Sequence, residues 1–171
     1  MNNSKTAIFK NFVEKAKSLG AWNAKIIKAK TIKTAAWTKI KCKYGCGGYN
    51  SSHCCPPNTP SYKETQEIID CFTSAILIHS KSHGLPKKIV VKLEREIFLS
   101  GYYKAFGFGC GPCRLCDECD PNGCRHTEEA RPSMEACGID VYETARKNGF
   151  PIEVVRNRNS EVNFYALVLI E

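Results

Sequence analysis

The stretch GCGPCRLCDECDPNGCRHT, residues 109–127, sets Cys110, Cys113, Cys116 and Cys119 at a constant spacing of three and adds Cys124 beyond a turn-forming DPNG. Thiols this dense are suited to holding soft metals. Zinc draws four thiolates to one point at about 2.3 Å, and its sites commonly offer them as two separated C-x2-C knuckles. A cubane iron–sulfur cluster presents irons at separate corners, so a tight loop can wrap it and offer one thiolate to each of several faces, as in the C-x2-C-x2-C spacing of ferredoxins. The run of consecutive C-x2-C steps therefore favours a 4Fe-4S cluster, with zinc as the alternative. Cys124 can fold back over the loop, so the expected ligands are Cys113, Cys116, Cys119 and Cys124, with Cys110 in reserve. The ring of His126 is placed to donate an N–H to a cluster sulfur.

A second group lies upstream in CKYGCGGYNSSHCCPP: Cys42 and Cys46, then the adjacent pair Cys54 and Cys55. Neighbours in an extended chain point to opposite sides, so only one of that pair is expected to share a site with Cys42 and Cys46. Pro56 and Pro57 stiffen the exit, and Gly45, Gly47 and Gly48 allow backbone to approach a bulky inorganic group. Three thiols leave either a distant fourth ligand (Cys110, Cys137 or Cys71) or a cluster with one iron open to an outside molecule. The first arrangement suits an electron carrier and the second a catalyst. Cys71 and Cys137, each assigned to a helix, are read as small packing residues, as are His53, His79 and His83 at the surface or in the core. The aromatic stretch YYKAFGFG is expected to cover the cluster loop from water.

The elements that must position these thiols follow from pattern and punctuation. With 171 residues and 43% apolar composition, the chain can bury an ordinary core without covalent staples. An amphipathic helix is predicted over TAIFKNFVEKAKSLG, with Ile8, Phe12, Val13, Ala16 and Leu19 on one face and Gly20 as C-cap. A strand follows near Ala24 to Lys30. Ser61 and Glu64 form a capping box ahead of a short helix, and AILIH reads as a buried strand. Pro86 opens a helix expected to run to about Lys104, AFGFG is a short strand, and Pro132 opens a helix closing at Gly149. IEVV and NFYALVLIE finish the chain as strands. The alternation predicts a single α/β domain over residues 1–171, with a mixed sheet flanked by helices and metal-binding loops at about 42–57 and 110–126; an α+β arrangement is the alternative.

Charge is unevenly placed. Of the formal +8, residues 1–43 contribute eleven lysines against the single acid Glu14, while the remainder is slightly acidic. The lysines serve as the solvated side of amphipathic elements or steer an acidic redox partner protein; nucleic acid is not the expected partner. The apolar run YALVLI is too short to span a bilayer, and the first twenty residues do not read as a secretory leader, so a cytoplasmic, non-membrane protein is expected. In a reducing compartment eleven cysteines point to metal or redox chemistry rather than a disulfide framework. P-loop, dinucleotide-binding glycine, H-E-x-x-H and G-x-S-x-G patterns are absent, which leaves nucleotide hydrolysis and common hydrolase chemistry without support.

The motifs CKYGCGGYNSSHCCPPNTPS and GYYKAFGFGCGPCRLCDECDPNGCRHTEEARPSMEACGIDV resemble those of the predicted metal-binding proteins, domain of unknown function 2284. The likeness extends to RPSMEACGIDVYETARKNGF and covers most of the chain. The resemblance implies metal binding through Cys42, Cys46, Cys55, Cys113, Cys116, Cys119 and Cys124, with an iron–sulfur group in an anaerobic microbe; Cys54, Cys71, Cys110 and Cys137 fall outside its pattern. It implies no reaction. In RPSMEACGIDV, Pro132, Ser133 and Glu135 read most simply as a helix start and Gly138 as a close-packing position, while Arg131, Ser133, Glu135 and Asp140 are candidates for a pocket beside a cluster. The expectation is an iron–sulfur redox or electron-transfer component with one 4Fe-4S cluster and a second at the first motif. The alternatives are an enzyme whose three-cysteine cluster binds substrate, and a zinc-stabilised interaction module.

Overall fold

The structure, a computed structural model, describes residues 3–171. Helix α1 (Asn3–Ser18) leads into β1 (Asn23–Lys28) and a 3-10 turn at Ala29–Thr31. Helices α2 (Trp37–Gly45) and α3 (Tyr62–Asp70) precede β2 (Ser74–Ser80), α4 (Leu85–Leu99) and β3 (Phe106–Phe108). A 3-10 turn at Glu135–Cys137, α5 (Val141–Lys147) and β4 (Phe164–Leu169) complete the order. Among the described residues no helix is long and apolar enough to cross a membrane.

Helices flank a single sheet, as the alternation predicted, but its four strands are antiparallel rather than mixed, in the order β1-β2-β4-β3. The crossover through α4 does carry β2 to a parallel β3, yet it leaves a gap one strand wide. The C-terminal strand fills that gap and runs against both neighbours. Both faces of the sheet are covered. Ile76, Ile78, Ala166 and Val168 pack on Phe9, Phe12 and Ala16 of α1 and Ile89, Val90, Leu93 and Ile97 of α4. On the other face Ala75, Leu77, Leu167 and Leu169 meet Ile69 of α3, Ala145 of α5, and Met134, Cys137 and Ile139. Burial on both sides explains why β2 reads as an unbroken apolar run instead of an alternating one.

Several predicted boundaries move for identifiable reasons. In α1 it is Phe9 that is buried, while Ile8 lies 40% exposed. Helix α4 stops at Leu99, where Ser100 caps it and Gly101 turns the chain with φ 96°. Tyr102 nonetheless returns to the core, edge-on to Phe9 and Phe12. The helix expected from Pro132 to Gly149 is broken at Gly138, whose φ is 81°. Its carbonyl accepts from the Ala35 amide at 2.8 Å, and a Cβ there would lie 2.6–3.0 Å from Tyr62. Helix α5 restarts only after Asp140, which accepts the Glu143 amide at 2.9 Å as N-cap. The segment IEVV forms no strand: β4 is flanked by β2 and β3, and neither outer edge, β1 or β3, takes a further strand. The capping box at Ser61 and Glu64 is present.

The loop containing the second cysteine group is held on the scaffold at its two ends. At the start, β3 crosses α4 so closely that a Cβ on Gly107 would fall 2.2 Å from Val90, a position only glycine can occupy. At the end, Arg131 forms a two-pronged ion pair with Glu94 of α4, at 2.7 Å from Nε and 2.6 Å from Nη2, and Glu94 also accepts the Gly107 amide at 2.8 Å. One carboxylate thus fastens both the entry and the exit of the loop.

Candidate metal centre and its adjoining cavity

All eleven cysteines are free thiols, and nine of them gather where the two cysteine-bearing segments meet. They divide into two sets. Cys113, Cys116, Cys119 and Cys124 line a small cavity of about 210 Å³, joined there by Cys54. Cys42, Cys46 and Cys55 line a larger one of about 830 Å³, joined by Cys110. The expectation that Cys54 and Cys55 face opposite sides holds, and the structure assigns Cys54 to the downstream set. The reserve thiol Cys110 belongs with the upstream set. Among the described residues no three His, Cys, Asp or Glu side chains converge tightly enough to hold a single ion.

Local structure explains the sorting. The cysteine groups were both expected in loops, but Cys42 sits in the last turn of α2 and Cys46 caps that helix. The chain then doubles back through turns that bond Tyr49 to Cys46 and Cys55 to Ser52. Thr59 fastens the exit by donating to the Ala136 carbonyl at 2.6 Å. His53 Nε2 lies 2.8 Å from the Asp120 carbonyl, so a residue assigned to packing instead ties the upstream segment to the downstream loop. Gly48 passes against Pro112, where a Cβ would sit at 3.3 Å.

Two amides point at sulfur: Gly48 donates to Cys46 Sγ and His126 donates to Cys124 Sγ, each at 3.4 Å. N–H···S contacts of this kind orient and steady a sulfur that ligates a metal. The donor from His126 is therefore its backbone amide, whereas the ring was the expected group. Three of the thiols, Cys42, Cys54 and Cys110, are drawn partly or wholly out of water. Burial pushes the Cys42 thiol above its ordinary value, with Cys46, Glu135 and Cys55 adding to the rise. Cys54 is raised by burial and then by Cys113, and Cys110 is pushed up to about 12 by burial and then by Glu135. Thiols held protonated in this way release protons when a metal takes them, so metal affinity should rise with pH.

Lys87, on the first turn of α4, was not singled out from sequence. Its ammonium donates to the carbonyls of Pro112 at 2.6 Å and Gly111 at 3.1 Å. It lies near enough to Cys113, Cys54, Cys110 and Cys55, thiols drawn from both sets, to interact with them electrostatically. Burial lowers its pKa while those thiols oppose the drop. A cation shared by two thiol sets offsets the repulsion of assembling several thiolates in a small volume.

Ser133, Glu135 and Asp140 border the larger cavity, as the pocket reading of RPSMEACGIDV proposed; Arg131 does not, being engaged with Glu94. Glu135 as a residue is only half-buried, yet its Oε2 is sealed from solvent with no hydrogen-bond partner. Burial holds this carboxyl above the usual carboxylate range. A buried oxygen without a partner beside Cys42 is unusual in a finished interior and fits a place meant to adjoin a cationic group.

The remaining cysteines are apart from both cavities. Cys137 is fully buried in the core, as expected of a packing residue. Cys71 is exposed at the end of α3, where its thiol donates to the Glu67 carbonyl at 3.4 Å, so the packing role assigned to it is not seen. The aromatic stretch does not shield the downstream loop either. Tyr103 is 78% exposed, Tyr102 packs on α1, and Phe106 lies under Arg131.

The thiol sets, the N–H···S contacts and the cation close to both sets are the apparatus of a metal-binding protein. Neither a curated protein nor a solved structure matches the chain. A family model does match, over residues 25–170, under the description "Predicted metal-binding protein (DUF2284)", and the chain belongs to that family.

Proposed function

We propose that this protein is a cytoplasmic iron–sulfur redox component with two neighbouring thiol sites. The observation that carries the reading is the division of nine cysteines into two sets, with the Lys87 ammonium close enough to feel thiols of both. One site would use Cys113, Cys116, Cys119 and Cys124, with Cys54 as a fifth thiol at hand; the other would use Cys42, Cys46 and Cys55, with Cys110 available as the fourth. Thiols spread around cavity walls suit a group with several metal corners better than one tetrahedral ion. Bound there, an iron–sulfur cluster supplies one-electron transfer at a potential set by local charge, hydrogen bonds to sulfur and exposure. Lys87 and the Gly48 and His126 amides are the groups of this chain that would raise that potential.

Helix α2 supports a partner-docking role beside the upstream site. It carries Cys42, an exposed stripe of Trp37, Ile40 and Tyr44, and Lys39, Lys41 and Lys43. An apolar stripe set among lysines matches an acidic protein partner. A second reading, an enzyme that brings a small molecule against the upstream site, is favoured by the 830 Å³ cavity that Cys42, Cys46, Cys55 and Cys110 border.

Anaerobic purification followed by iron, acid-labile sulfide and zinc analysis tests the proposal. The expected protein is brown, with on the order of four irons and four sulfides per cluster. Colourless protein holding stoichiometric zinc and no sulfide after attempted reconstitution would refute the iron assignment in favour of a zinc-stabilised module.

A further inference from the structure

The larger cavity has more room and a different lining than thiol ligation requires. At about 830 Å³ it falls in the range of small-molecule sites, whereas the thiols occupy only part of its border. Much of the rest is aromatic or aliphatic: Trp37 of α2, Tyr142 of α5 and Phe164 of β4. Val154 and Val155 belong to the apolar segment that finds no place in the sheet, and they stand 59% and 52% exposed on the cavity wall. Apolar side chains left uncovered around a concavity mark a place where a ligand supplies the missing contact. Of the acids and bases on this wall, Arg146 is engaged by the Ile152 carbonyl and Glu153, Asp140 by its capping bond, and Glu135 has its Oε2 sealed from solvent. Lys41 has no hydrogen-bond or ion-pair partner among the described residues.

We infer that this cavity binds a small aromatic organic anion, its ring between Trp37 and the Val154–Val155 wall and its acidic group at Lys41. The aromatic walls select a flat apolar body, which can stack without leaving buried polar groups unpaired. The lone ammonium selects the sign of the polar end. Such a ligand would lie directly against the upstream thiols. The inference deepens the reading in which a small molecule meets that site, but binding to the cavity does not itself depend on the metal.

The test uses anaerobically purified protein and a pair of probes that differ in one group: 8-anilinonaphthalene-1-sulfonate and its neutral counterpart N-phenyl-1-naphthylamine. Equilibrium dialysis is expected to give one saturable site for each. Lys41→Met should weaken the sulfonate about threefold, the scale of one exposed ion pair, and leave the neutral probe unchanged. Val155→Asp, and independently Trp37→Ala, should weaken both probes about tenfold or more, the first by placing a charge against the ring. Trp22→Asp, which alters a still more exposed residue outside the cavity, should change neither. Unaltered circular dichroism verifies that each variant is folded, and Trp37→Ala serves if Val155→Asp is not. Non-saturable binding, indifference to the cavity variants, or a concentration-dependent dimer that excludes both probes would overturn the inference. An equal effect of Lys41→Met on both probes would overturn the anionic assignment. Metal content is measured on the same preparations. Iron without saturable probe binding refutes the ligand site alone, and probe binding without iron refutes the cluster alone.

Discussion

Removing Arg131 should loosen the cysteine-rich loop more than any change within the loop. Its guanidinium meets Glu94 with two hydrogen bonds of 2.6 and 2.7 Å, and the two side chains are only 14% and 12% exposed. Nη1 also donates to the Thr127 and Ala130 carbonyls, both at 3.0 Å, closing the end of the loop on itself. In Arg131→Met the Glu94 carboxylate stays withdrawn from water with only the Gly107 amide as partner. Breaking a buried pair by deleting one member costs about 3–5 kcal/mol, and the surviving amide bond and residual exposure place this case near the lower limit. At about 2–4 °C per kcal/mol for a chain of this size, the melting temperature should fall by about 6–12 °C. Glu94→Gln keeps the shape and an acceptor for Gly107 and should cost about 1–2 kcal/mol. The double variant Glu94→Met/Arg131→Met should be less damaging than the sum of its two single changes, because neither leaves a charge stranded when both are gone. Thermal melts read these costs, and hydrogen exchange should show amides of residues 110–131 accelerating while β2 and β4 stay protected. Strict additivity in the cycle, or a cost for Arg131→Met under about 0.5 kcal/mol, would refute the claim that this pair anchors the loop.

Gly138→Ala combines a left-handed φ with contacts of 2.6–3.0 Å to Tyr62 and should cost about 2–4 kcal/mol, whereas Gly149→Ala, at φ 77° with nothing within 4 Å, should cost about 1 kcal/mol. Denaturant unfolding separates the two, and equal costs would show that the close approach contributes nothing. His79, buried against Tyr165 and bonded to Asn163, is held below its ordinary pKa first by burial. The unfolded chain therefore takes up this proton before the native protein does, so the contribution is complete above about pH 6.5 and is lost as pH falls below it. His79→Gln should show a smaller drop in melting temperature between about pH 7.5 and pH 5.5 than the parent protein. Cys54→Ser should reduce metal retention at the downstream site, while Cys71→Ser should leave metal content unchanged; elemental analysis after gel filtration reads both.

The sequence by itself determined membership of a metal-binding family and most of the local structure. Thiol spacing pointed to soft-metal binding, the Ser61–Glu64 box and the apolar phases of α1, α3 and α4 located helices, and RPSMEACGIDV was recognisable as a pocket candidate. These signals are local, carried by neighbours within a turn or two of chain. Only the tertiary structure decided how the thiols are shared. Alternation dictated that Cys54 and Cys55 diverge, but which faced which set depended on the upstream segment folding back onto Pro112 and Asp120. Cys110 joined the upstream set and Lys87 came to hold the start of the downstream loop through the packing of β3 on α4, a contact between residues with no periodic relation in sequence. The sheet's handling of its last strand was equally hidden: a crossover looks the same in sequence whether its two strands pair directly or leave a gap, and it is β4 inserting there that made the sheet antiparallel. Val154 and Val155, apolar residues that read as strand in sequence, lie outside the sheet and form part of the cavity wall instead, a placement set by long-range packing and not by local pattern.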